Sequence, residues 1–226
     1  MSDDIFRVMK GEPVVLEHLR YPLLVSPKLN GVRGYVRNGR VLSTANLPLP
    51  NTNLQAAFGS AEHLDGEFIV GDSRDTKHSL NRTTSIVMSD EKPIDGLKFY
   101  VFDHVADSSA PFRARSILAR ESVKYHGSER LVVIEHELIN SEKELLAKEI
   151  EYLKQGYEGL ITRDPLAPYK FGKSTAKQAW MGKMKRFRDA EAEVVGFTEE
   201  EKNTNEATIS ETGRTKRSSA KAGKVK

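Results

Sequence analysis

The sequence of 226 residues contains no cysteine. That excludes a disulfide framework and a thiolate zinc site, and the expected setting is cytoplasmic. No uninterrupted apolar run reaches the roughly 20 residues that a helix needs to cross a bilayer. The start, M-S-D-D-I-F-R-V, is acidic and lacks the basic-then-apolar order of a secretory leader. Net charge is also scarce: +3 is too little by itself to imply a polyanionic partner. What is present suits a soluble folded chain, with 38% hydrophobic and 30% charged residues. The length is enough for one good-sized domain and part of a second.

The small net charge hides an uneven distribution. Residues 189–211 carry eight acidic side chains against one lysine, whereas 214–226 carry six basic ones and no acid. A basic tail of this kind reads first as a solvated segment. If the protein meets a polyanion, its phosphates would be met there.

Periodicity then supplies the elements. Val32 and Val36 alternate with Arg33 and Arg37, Asn38-Gly39 follows, and Arg40-Val41-Leu42 resumes the pattern. Two strands separated by Asn-Gly predict a hairpin, because both turn positions need positive φ. Further strands are predicted over residues 64–70, 98–105, 131–138, 159–163 and 192–197. Helices are predicted over 112–125 and 142–155. The second opens on a capping box, Ser141 with Glu144, and closes at Gly156. Strands follow one another without a helix between each pair, so the fold class is α+β, with antiparallel sheets and helices packed on them. A domain boundary is expected near Arg186–Asp189, giving units 1–188 and 189–226. The 38 residues after Arg188 are too few for an independent five-stranded barrel, so the second unit is expected to be incomplete.

Singly, the polar features are ordinary. Lys28 ahead of Asn30-Gly31 reads as a surface charge, Asp65-Gly66-Glu67 as a bulge with a solvated carboxylate, and Glu158 as an edge charge. Lys183 and Lys185 suit a strand with one face in water, and Phe102 suits a core. Read together and in order, they form the inventory of a site that moves a nucleotide onto a lysine. An amine must be neutral to attack phosphorus, and a free lysine titrates near ~10.4. Neighbouring cations (Arg33, Lys183, Lys185, a divalent metal) favour the neutral amine and stabilise charge growing on phosphates. Glu158 or Glu67 offers a metal a hard oxygen ligand. Phe102 offers a purine a flat surface.

These elements resemble the ATP-dependent DNA ligases, especially the compact phage type, within the lysine-linked nucleotidyltransferases. The likeness runs from about Tyr21 to Phe197. K-L-N-G-V-R (Lys28–Arg33) resembles the nucleophile motif K-x-D-G-x-R, and L-D-G-E (Leu64–Glu67) the ribose-side motif. Y-V-F-D (Tyr100–Asp103) is similar to the adenine-stacking motif, E-G-L-I (Glu158–Ile161) to the metal-binding motif, and K-M-K (Lys183–Lys185) to the phosphate-binding pair. Residues 189–197 resemble the opening of the oligonucleotide-binding barrel. One motif alone is weak, but five in order are specific.

The resemblance implies an ATP-grasp-like adenylyltransferase domain followed by the start of an OB-fold. Lys28 would attack ATP and carry AMP, with Asn30, Lys183 and Lys185 also in the catalytic set. Arg33 and Glu67 would hold the ribose, Phe102 would stack on adenine, and Lys183 and Lys185 would neutralise phosphates. Glu158, with Glu67, would hold Mg2+ or Mn2+. The implied partner is nicked duplex DNA, sealed by a monomer in bacterial or phage-infected cytosol. Three positions depart from the pattern. Asn30 stands where the motif has aspartate, and Thr44 and Leu47 stand where phage ligases place an arginine and a lysine. These changes are expected to spare ATP binding more than sealing. Two other readings remain open: an RNA ligase or capping-type transferase, and a nucleotide- or nick-binding protein that seals nothing.

Overall fold

The computed structural model describes residues 6–76 and 78–186, with Gly196, Glu206 and four short strands beyond them. The chain divides into two compact units, Met1–Arg186 and Phe187–Lys226. In the second, β11 (Lys202–Asn203) pairs antiparallel with β14 (Lys224–Val225), and β12 (Ala207–Ile209) with β13 (Thr215–Arg217). The expected strand over 192–197 and the barrel opening lie outside the described residues, Gly196 excepted.

The first unit holds two five-stranded sheets. One has the order β1 (Glu12–Pro13), β10 (Met181–Lys185), β9 (Gly159–Arg163), β2 (Leu23–Pro27), β8 (Glu137–Ile139). The other runs β4 (Arg40–Ser43), β3 (Val32–Arg37), β5 (Leu64–Val70), β6 (Leu97–His104), β7 (Leu131–Val133). Helices α1 (Thr52–Phe58), α2 (Ser79–Val87), α3 (Phe112–His126) and α4 (Glu142–Lys154) accompany them. The α+β class is as expected, and most pairings are antiparallel. Two edge pairings are parallel, β1 with β10 and β6 with β7. The second is permitted by α3, which supplies the long crossover that a parallel return requires.

The hairpin forms as its turn dictates, with Asn38 at φ 53° and Gly39 at φ 68°. Glu62 accepts both turn amides. Helix α4 is capped by Ser141, whose hydroxyl accepts from the Glu144 amide at 3.3 Å. The Glu144 carboxylate accepts from the amide of Asn140, not of Ser141, so the reciprocal bond falls one residue early. Phe68 and Phe99 stack at 4.3 Å with Phe58 edge-on, centring the core of the second sheet. Val25, Leu145, Tyr152 and Leu160 form the core beneath α4. Among the described residues, no helix is long and apolar enough to cross a membrane.

One expected strand breaks. Residues 131–138 form two strands, β7 in one sheet and β8 in the other. The chain crosses between the sheets at Ile134–His136, where the Ile134 amide donates to the Val101 carbonyl at 2.8 Å. An apolar run bounded by glutamates reads as one strand, but the twist of two separate sheets cannot be served by a single straight segment.

Candidate active site

A cavity of about 170 Å3 draws on both sheets and on the crossing between them. Lys28 follows β2 directly, and its amide donates to the Gly159 carbonyl at 2.9 Å, which ties the Lys28 loop to the start of β9. Glycine is required at two points of this tie. A Cβ on Gly31 would sit 2.2 Å from the Phe68 carbonyl, and one on Gly159 would sit 2.0 Å from the Met184 carbonyl, at φ +144°.

These close approaches put Lys28 against Glu158, an ion pair of two partly exposed side chains. The other Glu158 oxygen accepts from Lys185 at 3.3 Å. Burial works against the charge of Glu158, but the bonds and charges of Lys28 and Lys185 hold it below the usual carboxylate range. Glu158 is therefore ionised at neutral pH.

Arg33 and Glu67 stand opposite one another on β3 and β5 and both line the cavity. Arg33 donates from Nε and Nη2 to the two oxygens of Asp65, at 3.0 and 2.7 Å, and from Nη1 to the Met9 carbonyl at 2.7 Å. Burial opposes its charge, yet Asp65, Tyr169 and Glu67 keep its pKa above the ordinary value. Glu67 accepts from the Gly31 amide at 3.1 Å. Burial pushes its carboxyl up to about 7, with Arg33 and the Gly31 bond only partly offsetting this. Phe102 lines the same cavity, with the Arg33 guanidinium 5.1 Å from its ring centre.

Lys183 and Lys185 are exposed on β10. Lys183 pairs in register with Ile161, which lines the cavity, so strand alternation turns both lysines to that face. Neither lines the cavity itself. Asn30 is placed apart: its side-chain amide donates to the Thr76 carbonyl at 2.9 Å, and its own carbonyl accepts from Ser79 Oγ at 3.1 Å. The structure thus gathers Lys28, Arg33, Glu67 and Phe102 around the cavity. Glu158 is joined to both Lys28 and Lys185, and the Asn30 side chain is directed to the loop before α2. Thr44 is exposed and Leu47 half-buried in a turn closed by Ser43–Leu47 and Asn46–Ser43 backbone bonds.

Sequence reasoning missed what holds this arrangement. Asp65 does stand beside a bulge, but its carboxylate is fully buried instead of solvated. It binds Arg33 and accepts from Tyr169 at 2.7 Å. Asp103 is equally buried, gripping Arg115 at 2.8 Å, with Arg163 at 3.4 Å. Met9 is latched at three points. Its amide donates to Tyr169, its carbonyl accepts from Arg33, and its sulfur lies 3.5 Å from Arg163 Nη1. The D-G-E and F-D strings marked these carboxylates, but no local signal revealed that three guanidiniums converge on them.

A divalent cation would fit Glu158, an ionised carboxylate with partial exposure. Magnesium is held through one or two carboxylates plus substrate phosphates, with waters completing its shell. Glu67 fits less well, because it retains its proton up to about 7. No cluster of three or more acidic or histidine ligands occurs among the described residues.

No protein-family profile matches the chain. A DNA ligase of African swine fever virus (Warthog isolate) is 30% identical over 109 residues, 47% of this chain. That match takes in 26% of the viral ligase, so the chain spans only about a quarter of its curated relative. The Chlorella virus DNA ligase-adenylate superposes with a TM-score of 0.72 at 27% identity, covering 86% of this chain and 74% of that one. The ATP-dependent DNA ligase of bacteriophage T7, solved with ATP, gives 0.63 at 17% identity over 93% and 80% of the two chains, a likeness of fold. The resemblance to ATP-dependent DNA ligases stands in fold, and over 47% of the chain the sequence resembles that of a viral DNA ligase.

Proposed function

We propose that this chain, which shares the fold of the ATP-dependent DNA ligases, is itself an ATP-dependent nick-sealing enzyme that carries AMP on Lys28. The observation that supports this most is the joint placement of Lys28 and Lys185 on one carboxylate, Glu158. It stands beside a cavity holding Arg33, Glu67 and Phe102.

In the first step Lys28 Nζ attacks the α-phosphorus of ATP. An N–P bond forms, the bond to the bridging oxygen breaks, pyrophosphate departs with the electron pair, and the amine loses its proton. A 5′-phosphate oxygen at the nick then attacks the same phosphorus, and the lysine leaves and regains a proton. Finally the 3′-hydroxyl attacks the 5′-phosphorus, loses its proton and expels AMP. Arg33 and Glu67 would hold the ribose and Phe102 would stack on adenine. Lys183 and Lys185, on the cavity's face of β10, would neutralise the phosphates. Mg2+ or Mn2+ held by Glu158 would stabilise charge on those phosphates. The same reading makes the chain a cytosolic monomer, with residues 189–226 as the start of the barrel.

The test is a duplex with one labelled 5′-phosphate nick, incubated with protein, ATP and magnesium. Sealed full-length strand is expected. Sealing only of RNA nicks would move the chain to the RNA ligases, and a lysyl-AMP without sealing would leave a nucleotide-charged binding protein.

A further inference from the structure

The crossing between the sheets brings a side chain into the cavity that no motif marks. His136 lies between β7 and β8 and lines the cavity with Ile134, Phe102 and Ile161. The crossing is pinned beside Phe102, since the Ile134 amide donates to the carbonyl of the preceding residue, Val101. The imidazole itself is oriented: it packs edge-on against Phe112, 4.9 Å between centres at 80°. The other face of the problem is charge. Arg163 lies over the same Phe112 ring at 4.7 Å and also lines the cavity.

The groups that line the cavity divide by what they can do. Lys28, Arg33 and Arg163 only donate, and one oxygen of Glu67 accepts from the Gly31 amide. Pro27, Leu29, Phe102, Ile134, Ile161 and Met181 form apolar walls. Ser26 and His136 are the neutral polar side chains. Burial, with Arg163 and Arg120 nearby, lowers the His136 pKa to about 3, so the ring is uncharged at any physiological pH. An uncharged imidazole carries one N–H donor and one acceptor nitrogen.

We propose that His136 is a specificity-determining residue for the base: its acceptor nitrogen takes a hydrogen bond from the 6-amino group of adenine. This rests on the ligase reading and adds to it the means by which ATP is told from other purine nucleotides. Guanine presents an oxygen at position 6, which would set two acceptors against each other. A purine with hydrogen at position 6 would leave the imidazole nitrogen without its donor. A neutral hydrogen bond contributes a factor of about 2 to 12 in affinity, and facing two acceptors costs more.

The experiment measures equilibrium binding of ATP, purine riboside triphosphate and GTP to the full chain and to His136→Phe, which keeps an aromatic ring against Phe112. Wild type is expected to prefer ATP over purine riboside triphosphate by about five- to tenfold, and over GTP by more. In His136→Phe the first ratio should fall to within about twofold of unity, while a merely structural role would weaken all three nucleotides together and keep the ratio. An unchanged ratio in the variant overturns the proposal. So does a wild type that binds ATP and purine riboside triphosphate equally, a comparison that needs no variant to fold. Binding of none of the three would instead overturn the ligase reading itself.

Discussion

Asp65→Asn is the perturbation that most directly probes what orients Arg33. The Asp65 carboxylate is fully buried and accepts three hydrogen bonds: from Arg33 Nε at 3.0 Å, Arg33 Nη2 at 2.7 Å and Tyr169 at 2.7 Å. An asparagine keeps the shape but turns one oxygen into an NH2 group. Facing Nη2 and Tyr169, that group can no longer accept from either and sets donor against donor at Arg33. Facing Nε, it loses one bond. In either orientation the buried Arg33 charge loses its counter-charge. Breaking a buried pair from one side costs about 3 to 5 kcal/mol. Against the 5 to 15 kcal/mol typical of a whole domain, that is a large fraction. The assay is urea unfolding followed by fluorescence, with Trp180 in the first unit as reporter. Asp65→Asn should lower the midpoint at an unchanged slope, and Arg33→Met/Asp65→Asn together should cost less than the sum of the two singles. ATP binding should weaken with the same variant, because Arg33 lines the cavity only while Asp65 holds it. A loss below about 1 kcal/mol, or strict additivity, would refute the idea that this pair organises the site.

Glu67 carries a pH signature. Its carboxyl titrates near 7 in the folded chain against 4.5 when unperturbed, so between those values the folded state binds more protons. Its contribution is present below about pH 4.5 and is lost as pH rises through 7, by about 3 kcal/mol at most. Glu67→Gln should therefore lose less stability than wild type between pH 5 and 8, and identical pH profiles in urea unfolding would contradict the assignment. Asn30→Asp restores the aspartate of the resembled motif, but it turns a donor to the Thr76 carbonyl into an acceptor. A loss of about 1 kcal/mol without faster lysyl-AMP formation is expected, and a gain in stability or rate would refute the orientation. Thr44→Arg, at an exposed turn position, should steepen the slope of log affinity for nicked DNA against log salt by roughly 0.9. The half-buried Leu47→Lys should add less, and no change in either would mean that this turn does not face DNA.

What was legible in the sequence were features encoded within a few residues. The Asn38-Gly39 turn determines its own hairpin, the apolar run Leu64–Val70 forms β5 over those residues, and Ser141 caps α4. Helices α1 and α2 were not foreseen. The first is only seven residues and depends on Asn51, whose side chain accepts from Leu54 and donates to Ile86 and Lys92 far along the chain. The second has β-branched Thr83 and Thr84 and no side-chain cap, so its helicity comes from packing on β5. In the site, the motif residues could be named in order, but the partners that orient them could not. Met9 serves Arg33 through its backbone carbonyl, which any residue possesses. His136 reaches the cavity only because an apolar run divides between two sheets. Asn30 shows the converse: a motif position whose direction is decided by the Thr76 carbonyl, 46 residues away.

The central claim is that Lys28 is the residue that carries the nucleotide. Its most direct test is an intact mass of the protein after ATP and magnesium, followed by peptide mapping, with Lys28→Ala alongside. The account predicts the mass of one AMP, located on Lys28, released on adding nicked DNA and absent from the variant. AMP found on Lys183 or Lys185, or an undiminished adduct in Lys28→Ala, would contradict it.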